Sequence, residues 1–65
     1  MGNIRIKSDR DGVYQPGEVV GIEKIIESYC ECTNDKSLVN WIHNIPITSA
    51  IDFIAGAWGL EYEFV

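Results

Sequence analysis

Basic residues are scarce in this sequence: five Lys and Arg accompany ten Asp and Glu, which gives a formal net charge of −5. Nucleic acids and anionic membranes are bound largely through positive charge, so this balance argues against both as partners. Three basic residues, Arg5, Lys7 and Arg10, lie in the first ten positions. Nucleic-acid binding by this basic end, with Tyr14 stacking on a base, is therefore the weakest of the binding hypotheses.

Long apolar runs are also missing, so the sequence shows no membrane span and no secretion signal, and we expect a cytoplasmic protein. Only two cysteines are present, Cys30 and Cys32. Residues two apart do not face each other on a helix, so we expect free thiols, which are usual in a cytosol. A length of 65 residues allows one compact domain, 1–65, whose small core favours stabilisation by a partner.

The N-terminal segment has the alternating pattern of a half-buried strand. Residues 3–7 place Ile4 and Ile6 on one face. Asp11-Gly12 is a hairpin-turn signal, and it predicts a short returning strand over residues 13–15. In the alternative arrangement, residues 19–20 continue the hairpin.

Three helices follow in the pattern of apolar residues. The first is predicted over 18–32, with a start nearer Ile22 if Gly21 weakens the first turn. The second begins at a cap, either Asp35 or Ser37, and ends before Pro46 because the residue preceding proline avoids helical geometry.

The third helix is predicted over residues 50–58, with Thr48 or Ser49 as its cap and Gly59 as its stop. Residues 60–65 then alternate as a terminal strand. Opposite charges favour pairing Glu61 and Glu63 with Arg5 and Lys7 on the first strand. The predicted fold is α+β, a small antiparallel sheet packed against two or three helices.

No catalytic, metal or cofactor site is predicted. Cys30, Cys32, His43 and Asp35 do not have a recurring zinc-ligand spacing. A Cys–His dyad is disfavoured because the first helix places Cys30 on its apolar side, where thiols are unreactive. The glycines form no phosphate-binding loop. We therefore expect a protein that is not an enzyme.

Three glutamates, Glu23, Glu27 and Glu31, recur every four residues on one face of the first helix. Their steps of about 6 Å follow from the helical rise and resemble the phosphate spacing of a nucleic-acid strand. Each pair of like charges at this spacing destabilises a helix by about a few tenths of a kcal/mol. These three residues are the candidate binding face for a basic partner; the simpler alternative is an exposed face of an acidic protein.

The third helix is apolar on all sides apart from Asp52. Such a helix is normally buried all round, which a 65-residue chain cannot easily achieve alone. We expect one face to pack on the sheet and the other to contact a partner, most simply a second copy in a homodimer. The alternative is a central helix buried within a monomer. The candidate interface residues are Phe53, Ile54, Ala57 and Trp58.

Small size, acidity and the lack of a catalytic constellation favour protein binding. The first hypothesis is a homodimeric inhibitor or regulator of a larger host enzyme, of the anti-defence kind made by phages and mobile elements, acting on a nucleic-acid-processing or defence enzyme. This class assignment is by analogy. The alternative hypothesis is a structural or assembly subunit that binds through its apolar third helix.

Overall fold

The computed structural model describes residues 2–65 and shows the expected α+β fold. Strands β1, β2 and β3 form one antiparallel sheet in the order β2-β1-β3, and three helices lie between β2 and β3 in the chain. The elements, in chain order, are β1 (Asn3–Asp9), β2 (Val19–Gly21), α1 (Ile22–Cys32), α2 (Lys36–Asn44), α3 (Ile47–Trp58) and β3 (Leu60–Phe64).

One face of the sheet is covered and the other is open. Ile4 and Ile6 of β1 are fully buried, whereas the alternate residues Arg5 and Lys7 are exposed. The buried face packs against α1 and α3 in a single core, so apolar burial is the main stabilising force. The core residues are Ile4, Ile6, Ile22, Ile25, Ile51, Ile54, Ala55 and Leu60.

The cross-strand charge pairing is confirmed at one of its two positions. Arg5 lies opposite Glu63 and forms an ion pair of 2.8 Å between Nη1 and Oε2. A register irregularity between Ile6 and Ser8 then places Ser8 opposite Glu61, and the Ser8 hydroxyl donates to that carboxylate at 2.8 Å. The predicted pairing of Lys7 is therefore wrong, because the bulge removes Lys7 from the register.

The returning strand predicted over residues 13–15 is also wrong; β2, the alternative, pairs with β1. Residues 10–18 form a loop that the Asp9 carboxylate organises, accepting from the backbone N–H groups of Tyr14 at 2.8 Å and Asp11 at 3.0 Å. The Tyr14 N–H is the largest influence that lowers the pKa of Asp9 below its ordinary 3.8. A turn held by one carboxylate leaves residues 13–15 no strand partner.

The helix ends follow local chemistry. The first helix begins at Ile22, as the weak Gly21 position predicts, and Asp35 caps α2 by accepting from the Leu38 N–H at 3.1 Å. Thr48 and Ser49 are not caps, contrary to expectation. Helix α3 already begins at Ile47, because the Pro46 carbonyl accepts the first helical hydrogen bond from Ala50 at 3.0 Å.

Gly59 ends α3, as predicted, and turns the chain into β3. Its φ of 69° lies in the left-handed region, which favours glycine, and its N–H donates to the Ala55 carbonyl. A Cβ at this position would lie 2.7 Å from the Arg10 Cβ. Both the backbone conformation and the neighbouring loop therefore require a glycine.

Candidate protein-binding surfaces

The acidic row, which we define as Glu23, Glu27 and Glu31, lies exposed along one face of α1. Among residues 2–65, the ion pairs are Arg5–Glu63 and Arg10–Asp11, so the acidic row has no cationic partner within this part of the chain. Three like charges therefore face solvent at helical spacing, as the sequence predicts. Their negative potential is not cancelled locally and is available to a basic partner.

The acidic row also lines a groove of about 550 Å³, which we name the acidic groove. Cys30 and His43 line it beside the glutamates. The remaining lining residues are apolar and come from all three helices and the α2–α3 connection: Ile26, Ile42, Ile45, Ile47 and Ala50. Of these, Ile42 and Ala50 are buried and Ile47 is exposed. The groove thus combines an acidic edge with an apolar lining, which the spacing of the glutamates alone does not reveal.

A second surface is aromatic. Trp41 of α2 packs edge-on against Phe53 of α3, with 5.1 Å between ring centroids. The ring centroid of Tyr29, on α1, lies 6.0 Å from that of Phe53 and 5.5 Å from that of Trp58. These four residues, Tyr29, Trp41, Phe53 and Trp58, constitute the aromatic surface. Trp41 is 46% exposed and Phe53 is 37% exposed, although each already contacts another ring.

The structure divides the predicted interface residues of α3. Ile54 is fully buried beneath the sheet and presents no surface to a partner in this structure. Phe53 and Ala57 are exposed, and Trp58 is half-buried. The space over Gly56 is open, since a Cβ built there meets no atom within 4 Å. One face of α3 is therefore packed and the other is accessible.

Two members of the aromatic surface, Trp41 and Tyr29, are absent from the interface predicted from the sequence. The sequence shows only that these residues are aromatic. Which rings meet is decided by the packing of the three helices. The same packing places Trp41 and His43, two residues apart on α2, on the aromatic surface and the acidic groove, respectively.

The basic end of the chain is partly neutralised. Arg5 pairs with Glu63, and the Arg10 Nε lies 3.7 Å from the Asp11 carboxylate. Tyr14 packs against the core, and burial is the first cause that raises the pKa of its hydroxyl. These contacts reduce the charge and the ring surface that this end presents to a nucleic acid.

Cys30 and His43 lie closer together than their sequence separation indicates. The Cys30 Sγ is 3.8 Å from the His43 Nε2, and Cys30 is half-buried rather than enclosed. Cys32 is exposed and lines a different pocket, with Tyr14 and Trp58. Among residues 2–65, no three His, Cys, Asp or Glu side chains are gathered in the geometry of a metal site.

Comparisons with protein-family models, curated proteins and solved structures found no match for this chain. Within residues 2–65, no helix has both the length and the apolar character needed to cross a membrane.

Proposed function

We propose that this chain is a small acidic protein-binding module that inhibits or regulates a larger enzyme by occupying a basic surface of it. The observation that carries the proposal is the position of the acidic row at an apolar groove. A solvated acidic helix face needs no apolar lining beside it. A basic amphipathic segment satisfies both halves of this surface, with apolar side chains in the groove and Lys or Arg beside the glutamates.

A nucleic-acid-processing or defence enzyme is a suitable target class, because such enzymes carry basic grooves for phosphates. Successive glutamates on α1 are about 6 Å apart by the helical rise, a repeat similar to that of a phosphate backbone. Their carboxylates can accept charge-assisted hydrogen bonds from Arg or Lys. We place this activity in the cytoplasm and propose binding rather than catalysis.

The proposal includes a homodimer held by the aromatic surface. Phe53 and Trp41 expose apolar area on a helical layer, and the nearby Ala57 and Gly56 leave room for a second backbone to approach. Aromatic side chains are also the residues that most often anchor interfaces. The aromatic surface and the lining of the acidic groove have no residue in common.

The test is affinity capture of a partner, followed by measurement of its affinity for three forms of the protein. The acidic-row variant carries Gln at all three positions of the acidic row, which shifts the net charge from −5 to −2. A matched control removes the same number of charges elsewhere. The control substitutions are Glu18→Gln, Asp52→Asn and Glu61→Gln.

We expect the acidic-row variant to lose the partner and the matched control to retain it. Affinity of the wild type should fall steeply between low salt and several tenths molar, because exposed charges are screened over about 10 Å at 0.1 M. Equal binding by all three forms would contradict the proposed surface. Equal weakening in both variants would indicate a response to net charge alone.

The alternative function is a structural or assembly subunit that binds another protein through the aromatic surface. The exposed fractions of Trp41 and Phe53 favour it. Binding of this kind depends on apolar burial, so salt should leave it nearly unchanged. A captured partner that the acidic-row variant retains and Phe53→Ser loses would select this alternative.

A further inference from the structure

The strongest unassigned cluster in the molecule is the contact between a thiol and an imidazole across two helices. Cys30 is supplied by α1 and His43 by α2, and their Sγ and Nε2 atoms are 3.8 Å apart. Both side chains line the acidic groove and also a neighbouring pocket with Lys36 and Asn40. The pair is therefore reachable from solvent on two sides.

The separation of the two donor atoms fits chelation of one metal ion. Zinc binds Cys sulfur at about 2.3 Å and His nitrogen at about 2.0–2.1 Å, so two such ligands in a tetrahedral site lie ~3.6 Å apart. The observed 3.8 Å is close to this separation. Thiolate and imidazole together select thiophilic cations over Mg²⁺ or Ca²⁺, which prefer oxygen ligands.

The surroundings favour a cation. Glu27 and Glu31 belong to the same helix as Cys30 and line the same groove. Their charge attracts a divalent ion and offsets part of the cost of bringing it to the protein surface. His43 is exposed, which leaves its other ring nitrogen free to donate to water when Nε2 binds the metal.

We propose that Cys30 and His43 form a two-residue binding site for a thiophilic divalent cation of the Zn²⁺ type. On binding, the Cys30 thiol releases its proton to solvent and the sulfur coordinates the metal as thiolate, with no change of oxidation state. Two coordination positions are left for oxygen or for another protein donor, because no third metal ligand is gathered with this pair in residues 2–65. Water fills these two positions if the site lies within a single chain. Cys30 and His43 of a second copy fill them if the metal bridges two chains.

Cys32 supplies an internal control. It lies two residues from Cys30 on α1, but it lines the pocket on the other flank of the helix, with Tyr14 and Trp58. Cys32 is exposed and Cys30 is half-buried, so Cys32 is the more accessible thiol. Simple accessibility therefore favours metal binding at Cys32, whereas chelation favours Cys30.

The experiment is a Co²⁺ titration of the reduced wild-type chain, followed by the near-ultraviolet charge-transfer band that only a cobalt–thiolate bond produces. Zn²⁺ is then added to displace Co²⁺ and to give the zinc affinity. The same titrations are made on Cys30→Ser, His43→Gln and Cys32→Ser. Far-ultraviolet circular dichroism establishes that each variant is folded, and Cys30→Ala and His43→Asn replace any variant that is not.

We expect a saturable band in the wild type and in Cys32→Ser, no band in Cys30→Ser, and at least a tenfold weaker affinity in His43→Gln. Saturation at one metal per chain identifies water as the completing ligand, and saturation at one metal per two chains identifies a second copy. No band in the wild type, or loss of the band in Cys32→Ser, would overturn the proposal. Retention of full affinity by His43→Gln would also overturn it, because the site would then be a single thiol.

Discussion

Self-association through the aromatic surface is predicted to depend strongly on Phe53. This side chain is 37% exposed and lies between Trp41 and Tyr29. A fully exposed Phe presents on the order of 200 Å², so roughly 75 Å² remain to be buried by a second copy. At about 25 cal/mol per Å², this area contributes roughly 2 kcal/mol in each copy.

In a symmetric dimer the contribution is made twice, so Phe53→Ser is expected to cost roughly 4 kcal/mol of dimerisation free energy, a weakening of roughly 700-fold. Trp41, 46% exposed, adds a similar amount in the wild type. Because association itself costs about 4–15 kcal/mol, these two residues support only a weak dimer. The weakening caused by Phe53→Ser should then leave a monomer.

The assay is sedimentation velocity of the wild type and of Phe53→Ser over micromolar to millimolar concentrations. Val19→Ser is the matched control, because Val19 is 51% exposed on β2 and is an apolar residue outside the aromatic surface. We expect wild type and Val19→Ser to dimerise alike. Salt should not weaken the dimer, since copies of charge −5 repel each other. A wild type that sediments at 7.3 kDa throughout would refute the reasoning.

Three further predictions concern the fold. Gly59→Ala should lower the free energy of unfolding by at least ~1–2 kcal/mol in denaturant titration, because a left-handed backbone and the Arg10 Cβ at 2.7 Å both oppose a Cβ; an unchanged midpoint would contradict this. A double-mutant cycle on Arg5 and Glu63 should give a coupling of only about 0.2–1 kcal/mol, reduced by salt, because the pair is exposed. A larger or salt-independent coupling would contradict that reasoning. The pKa of Asp9 is lowered in the folded state, so its carboxylate stabilises the fold at pH values above its ordinary pKa of 3.8 and loses this effect as the pH falls through the folded-state pKa. The difference in free energy of unfolding between wild type and Asp9→Asn should therefore shrink below about pH 4. A constant difference down to about pH 2 would contradict the assignment.

Most of the helices and strands could be predicted from local patterns. The alternation of Ile4 and Ile6 indicates β1, and the three-four spacing of apolar residues indicates α1. The start at Ile22, the cap at Asp35 and the stop at Gly59 depend on chemistry within a few residues, so the sequence contains the information for them. The acidic row is determined in the same way, because four-residue spacing on a helix always gives one face.

Contacts between elements were decided by the tertiary structure. The bulge that removes Lys7 from its pairing with Glu61 depends on how β1 and β3 fit together, and no local pattern encodes it. Ile54 and Phe53 are adjacent apolar residues of α3, yet one is enclosed and the other is exposed. Which side of an all-apolar helix packs on the sheet depends on the neighbouring elements rather than on its own sequence.

The candidate sites also combine features set by the local sequence with features set by tertiary packing. Helical periodicity alone places the three glutamates on one face of α1, whereas their position beside an apolar groove requires α2 and α3 to pack against that helix. The Cys30–His43 contact likewise joins residues thirteen positions apart on two helices. The sequence by itself determined which side chains share a face of each helix or strand, because short-range periodicity fixes those faces. The fold decided which faces meet, because burial of the shared core selects one packing among those that the segments allow.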